Sequence, residues 1–464
     1  MKKAKYMAMA LCTILAGTAA AQDLKTGYFS DNFLYRHDIN PALDNEENYF
    51  SIPFVGNFNV NMSGNFGLEE LMHKNPLYPD RSDKKMTSFM NPYLSNPLSG
   101  FASGDNKING TLKETIFSMG FKKWGGYNTV ELNVRAQADI SAPYKLFELA
   151  AYAENKHYEI GDIDLSAQAF TELSFGHSRK VSDKMKVGGK AKLLLGLGDA
   201  SVKMDGVVAD LSDANQWLVK AKAQSDVSMK GFKYLSKTKD YSSKPGTSNH
   251  VNDVDLDLGG PSGFGLAVDA GLVYKLTDDV TLSASLLDLG AIVWTNDFRA
   301  QNDENTFVFD GFHDVTIGGD SPNVLDKQAD KYGDQLLDVA NLRDKGDKGA
   351  RVTGIGTTLN VGAEYVLPTF QMLKIGLLGT TRINGPHSWS EARLSGNISP
   401  IDWFDGTLAL AVNSYQANMG FLANFHTKKF NFFLGMDCLL GKMSKEFIPL
   451  NSNGGVSFGF NVKM

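Results

Sequence analysis

Apolar and polar side chains alternate along most of this chain. In 51–62, Ile52, Phe54, Gly56, Phe58, Val60 and Met62 share one parity; Ser51, Pro53, Asn57, Asn59 and Asn61 take the other, with Val55 out of step. In 130–141, Val130, Leu132, Val134, Ala136, Ala138 and Ile140 oppose Glu131, Asn133, Arg135, Gln137, Asp139 and Ser141. The pattern returns at Met185, Val187, Ala191, Leu193, Leu195 and Leu197, and at Phe430, Phe432, Leu434, Met436, Cys438 and Leu440. It closes the chain with Val456, Phe458, Phe460 and Val462 against Ser457, Asn461 and Lys463. Successive side chains on a strand point to opposite faces, so each segment predicts a strand with one apolar and one polar wall.

A soluble sandwich buries the apolar wall, whereas a membrane barrel turns it to lipid and keeps the polar wall inside. Strand length separates the two. Globular strands run about five or six residues, and a tilted membrane strand needs about 9–11. The alternation predicts fourteen strands, near 50–62, 114–122, 127–141, 162–180, 184–198, 262–276, 279–295, 354–367, 372–384, 388–399, 406–415, 418–427, 429–440 and 454–463. Links after every second strand are short, and most of the others are long, as when periplasmic turns alternate with extracellular loops. The expected fold is all-β: a transmembrane antiparallel β-barrel of about 14 strands, range 12–16. The barrel would occupy 50–464, with long extracellular loops at 63–113, 199–261 and 296–353. Within them, Asp210–Gln224 and Ser321–Lys345 have helix-like spacing, and Val202, Met204 and Asp205-Gly206 resemble a further strand and turn.

The start of the chain fits this compartment. Lys2, Lys3 and Lys5 precede an apolar run from Tyr6 to Ala16 and the small residues Ala19-Ala20-Ala21. That is the pattern of a secretory signal peptide, 1–21, cleaved near Ala21. Removing 21 of 464 residues leaves 443, with 43 basic against 52 acidic side chains, which is not a nucleic-acid footprint. One cysteine, Cys438, remains, so no intramolecular disulfide can form.

Candidate chemistry is sparse. Gly455-Val456-Ser457-Phe458-Gly459 fits G-x-S-x-G, but a nucleophile elbow needs a following helix and too little chain remains. Gly188-Gly189-Lys190-Ala191 lacks the Ser/Thr of a phosphate loop. Asp253, Asp255 and Asp257 alternate like calcium ligands, yet Leu258 and Phe264 stand where an EF-hand needs Gly and Glu, so they are a weak metal candidate. The histidines show no zinc spacing. No acid–base or nucleophile constellation emerges, so neither an enzyme nor a cofactor is expected. Trp294, Trp389 and Trp403 lie near strand ends, where interfacial aromatics gather.

Ahead of the first strand stands Tyr35-Arg36-His37-Asp38-Ile39-Asn40-Pro41-Ala42-Leu43. Pro41 fixes its backbone and lacks an N–H, Asn40 offers an amide to polar walls, and Ala42 allows close approach, all of which suit a non-ladder segment. The order of signal peptide, Asn-Pro-Ala-Leu block and alternating strand resembles the long-chain fatty-acid transporter (FadL) type of outer-membrane barrel. It is also similar to the PorV-type barrels of type IX secretion, and above all to a Bacteroides-type branch of FadL/PorV-like proteins that carry this block.

The resemblance implies an N-terminal plug, 22–49, with Asn40, Pro41, Ala42 and Leu43 as its motif. Glu131, Asn133, Arg135 and Gln137 are expected to face the lumen, and Asn40 to contact Arg135 or Gln137. It further implies transport of small apolar solutes through a plugged lumen; the alternative is a scaffold or secretion shuttle binding protein partners through its loops. The expected partners are therefore outer-membrane lipid, an apolar small molecule, and secretion-system or cell-surface proteins, with no nucleic acid.

Overall fold

The computed structural model describes residues 23–78, 86–213, 216–239, 248–257, 259–302, 306–309, 342–439 and 452–464. Fourteen antiparallel strands close into a barrel. They are β1 (Tyr49–Ser51 and, after a break, Phe58–Gly64), β2 (Asp105–Lys123), β3 (Gly126–Pro143), β4 (His157–Ser182) and β5 (Met185–Asp213). There follow β6 (Gly263–Lys275), β7 (Val280–Trp294), β8 (Arg351–Gly354 and Thr357–Val366), β9 (Leu373–Ile383) and β10 (Trp389–Ile401). The last are β11 (Phe404–Asn413), β12 (Ala417–His426), β13 (Phe430–Met436) and β14 (Gly454–Lys463). Each pairs with its neighbour in sequence, and β14 returns to β1 through Tyr49↔Lys463 and Phe58↔Phe458. Closure gives each barrel strand a neighbour on both sides, which is how a sheet satisfies most of its backbone in lipid.

The two walls differ as the alternation requires. Leu193 is 59% exposed and its neighbour Leu194 3%. Phe430, Phe432 and Leu434 face outward, while Asn431 and Phe433 between them are buried. Leu266, Val268, Leu289, Val361, Leu377, Leu408 and Leu410 extend the exposed apolar belt around the outside, the surface of an outer-membrane β-barrel.

Strands β4 and β5 run well past the predicted ends. The segment expected to be helical at 210–224 is instead strand, the tip of β5 pairing with Gln216–Ser228. Asp205-Gly206 is a bulge within β5 rather than a turn: the register shifts between Asp205 and Val208, and Gly206 takes φ +59°. Strands Phe298–Asn302, Leu342–Asp347, Ser248–Leu256 and Phe232–Lys239 complete this outer sheet over Val227, Phe232, Tyr234, Val251, Val254, Ala300 and Leu342. The predicted loop 63–113 is shorter than expected, because β2 begins at Asp105. The signal peptide, and 321–345 apart from its strand at the end, lie outside the described residues.

Of the three predicted tryptophans, Trp403 alone behaves as a rim aromatic, 51% exposed and stacked on Phe425. Trp294 is fully buried, its Nε1 donating to Thr353 Oγ1 at 2.7 Å, and Trp389 is covered by the Lys25 ammonium 4.6 Å from its ring. Trp124, in the β2–β3 turn, is the unanticipated rim residue, at 65% exposure. Cys438 departs from the predicted outer wall: β13 ends at Met436, and Cys438 is buried with Sγ 3.0 Å from Asn418 Oδ1.

Candidate functional site

The segment from Leu24 to Tyr49 touches strands on all sides of the barrel and therefore runs inside it. Two short 3-10 turns, Lys25–Gly27 and Leu34–Asp38, fold it compactly. Gly27 is required here, since a Cβ would sit 2.5 Å from Phe33 Cδ1. At one end the Lys25 and Thr26 N–H groups donate to the Asp437 carboxylate at 3.0 and 2.8 Å, and Arg393 Nη1 donates to Thr26 Oγ1 at 2.9 Å. Tyr28 donates to Ser283 on β7, and Tyr35 to Asn461 on β14. Phe33 packs edge-on against Phe433, with ring centroids 5.0 Å apart.

Asp38 is the tightest anchor. Lys113 of β2 reaches it at 2.5 Å and Lys190 of β5 at 2.6 Å; Lys190 also reaches Glu131 of β3 at 2.7 Å. Burial by itself would raise the Asp38 carboxyl, but the two ammonium groups override this and hold it well below the usual carboxylate range. His37 Nε2 lies 2.9 Å from the Tyr49 hydroxyl, and Tyr49 stands 2.7 Å from Ser118 Oγ. His37, Asp38 and Glu131 are the one cluster of ligand atoms close enough to hold a metal among the described residues. Lys190 already supplies the positive charge between the two carboxylates, so the donor set does not fit a cation. Asp253 and Asp255 face Leu235 and Lys233 across a hairpin and, with Asp257, form no such cluster.

The Asn-Pro-Ala-Leu block is buried against β5, β6 and β7. Asn40 Nδ2 donates to the Tyr28 hydroxyl at 3.0 Å and to the carbonyls of Leu272 and Ala284 at 3.3 Å each, and its Oδ1 accepts the Ala42 N–H at 3.0 Å. A Cβ at Gly271 would sit 2.1 Å from Asn40 Oδ1, and one at Gly188 2.1 Å from the Pro41 carbonyl. The Gly-Gly-Lys stretch that fails as a phosphate loop thus gives the block its floor, through Gly188, and Asp38 its partner, through Lys190.

Asn40 does not meet Arg135 or Gln137, because both are already engaged. Arg135 forms a fork on Asp288, both bonds 2.8 Å, and reaches Glu172 at 2.8 Å. Lys192 joins this group at 2.6 Å from Asp288 and 2.8 Å from Asp269. Gln137 Oε1 accepts from Arg382 Nη2 at 2.6 Å. Asn133 Oδ1 accepts from Thr115, and Glu131 from Ser118. Of these four residues only Glu131 belongs to the ion-pair group around the segment.

Beside Asp38 the wall itself is incomplete. Strands β1 and β2 pair at Tyr49↔Gly120 and Phe50↔Met119, then again at Ser63↔Asn109 and Gly64↔Ile108. Between these points the ladder lapses. Phe54 takes φ +64°, Pro53, Phe54 and Val55 turn outward, and Gly56 and Asn57 turn in. The Thr115 N–H donates to the Asn57 carbonyl at 3.0 Å, and the Ser118 N–H to Ser51 Oγ. The outer side of β1 stays tied to β14, where Phe460 N–H donates to the Val55 carbonyl and Asn461 to the Gly56 carbonyl. Proline within an alternating run was the sequence signal for this break.

Comparison with solved structures returns outer-membrane barrels. The Pseudomonas putida toluene transporter TodX is 8% identical, with 97% of this chain and 95% of that chain covered and a TM-score of 0.41. A Pseudomonas aeruginosa FadL homologue is 10% identical, over 97% and 96%, at 0.36. The translocator domain of the autotransporter NalP from Neisseria meningitidis is 8% identical, over 91% and 90%, at 0.31. No curated protein sequence matches. The chain does match, over residues 41–437, the family described as a family of unknown function, DUF5723, and it belongs to that family.

Proposed function

We propose that this barrel transports small, largely apolar solutes across the outer membrane, with residues 22–49 as the plug that closes its lumen and the β1–β2 seam as the way out. The observation that carries the reading is the lapse of the ladder between β1 and β2 beside the plug's Asp38 anchor. A hydrophilic solute would need an axial water path, and the inner segment lies across it. An apolar solute gains by leaving sideways into hydrocarbon, at about 25 cal/mol for each Å² of apolar surface removed from water. The outer flank of the seam carries Phe50, Phe58 and Phe117, a surface that suits such a solute.

Cells lacking their own apolar-solute channels and expressing the full chain should take up radiolabelled toluene faster than cells with an empty vector. Deleting 23–49 should raise ion conductance in planar bilayers. Uptake no faster than the empty vector, together with unchanged conductance on deletion, would overturn the reading; a protein co-purifying in fixed proportion with such a silent barrel would point to the scaffold role instead.

A further inference from the structure

We infer that Glu114 is a binding group at the lipid side of the seam, and that the solute it takes is an apolar molecule carrying one hydrogen-bond donor, a hydroxyl or an amine. The inference rests on the transport reading above and names its substrate class.

On β2 the side chains that meet the outer wall of β3 are Leu112, Glu114, Phe117 and Met119, opposite Ala136, Val134, Leu132 and Val130. Glu114 is the one carboxylate in this row. Continuing the register from Ser63↔Asn109 brings Phe58 opposite Glu114 on its other side, and the bond from Thr115 N–H to the Asn57 carbonyl keeps that register. Glu114 therefore stands between Val134 and Phe58, at the level where the ladder has lapsed. Its Oε1 is buried and has no hydrogen-bond partner. The adjacent Lys113 points to the other face, where Asp23 and Asp38 hold it.

A buried carboxylate oxygen left without a donor is costly, and ionisable groups in the bilayer zone mark functional sites by default. As a mere wall residue, Glu114 would be better replaced by leucine. As a binding group it makes sense: a solute crossing the seam sets its apolar body against Phe58 and Val134 and offers its donor to Oε1. An acceptor oxygen that has no other donor gains a hydrogen bond from such a solute, so donor-bearing solutes gain over their hydrocarbon analogues.

The test uses the full chain in phosphatidylcholine nanodiscs, whose headgroups offer no N–H or O–H donor, with benzyl alcohol and toluene as matched probes. Equilibrium binding of each is measured for the wild type, Glu114→Gln and Glu114→Leu; heat-dependent gel mobility confirms that each variant is folded. The wild type should bind benzyl alcohol more tightly than toluene. Glu114→Leu should lose about tenfold in benzyl alcohol affinity with toluene unchanged, and Glu114→Gln, which keeps an acceptor, should fall between. Equal benzyl alcohol binding by wild type and Glu114→Leu overturns the inference. Uptake of labelled benzyl alcohol by cells separates the two readings. Binding that depends on Glu114 without any uptake keeps the site and removes transport; uptake by the wild type and Glu114→Leu alike keeps transport and removes the site.

Discussion

Between β5 and β6 the wall is continuous, with twelve residue pairs running in one register from Gly263↔Gly196 to Tyr274↔Met185. Between β1 and β2, strands that cross the same membrane, four pairs form, two at each end. Yet both inner faces serve the same segment. Gly188 and Gly271 of the intact wall cradle Pro41 and Asn40, while Lys113 of the broken wall holds Asp38. The comparison teaches where a closed barrel can give up ladder bonds. At β5–β6 the flat glycine surface must press against the block, and a gap there would remove the floor. At β1–β2 the strand keeps its other edge on β14 and gains side-chain bonds such as Ser118 N–H to Ser51 Oγ, so the lapse costs part of one edge and leaves the barrel closed.

The largest effect should come from the anchor that ties the inner segment to the broken side. Asp38→Asn leaves Lys113 and Lys190 each short of a buried partner, a loss of about 3–5 kcal/mol. Denaturant unfolding of purified barrels and bilayer conductance should register it as lower stability and more frequent opening. Acid should do the same to the wild type. The Asp38 carboxyl titrates below its ordinary value of 3.8 when folded, so its contribution is fully present above that value and is lost as pH falls through the lower folded one. Conductance that rises between pH 7 and 5 would assign the latch to another group.

Next in size is a charge on the intact outer wall. Leu193→Arg, opposite Leu266 on β6, should cost roughly 2–4 kcal/mol if it lies near the midplane. Denaturant titration in lipid checks this, and an unchanged midpoint would mean that this wall does not meet hydrocarbon. The smallest effect is local opening. Amides of 110–114 should exchange with deuterium faster than those of 188–194, because few ladder bonds protect them on the β1 side. Equal protection would show the seam to be as closed as the rest.

Much of this was legible in the sequence, for a local reason. A two-residue period is a property of neighbours, so Leu193 against Leu194, or Phe432 against Asn431, can be assigned without knowing what lies across the sheet. All fourteen strands were found in that way. What the period misses depends on partners far apart in sequence. Lys113 fell at the end of the predicted loop 63–113 and Lys190 in a Gly-Gly-Lys stretch read only as a failed phosphate loop, and nothing local ties either to Asp38. Asn40 was expected near Arg135, but Arg135 is taken by Asp288, a residue 153 positions away. The helix-like charges of 210–224 belong to a strand because pairing with the tip of β5 outweighs local spacing. The seam lay inside a run in which only Pro53 and the out-of-step Val55 mark the interruption.

The central claim is that this seam opens. In a Cys438→Ala background, Val60→Cys with Leu112→Cys places a thiol on each side of it, following the register that sets Phe58 opposite Glu114. A control pair, Leu193→Cys with Leu266→Cys, spans the intact wall. Toluene uptake should stop when the seam pair is oxidised and return on reduction, while the control pair transports in both states. Full uptake through an oxidised seam would contradict the account.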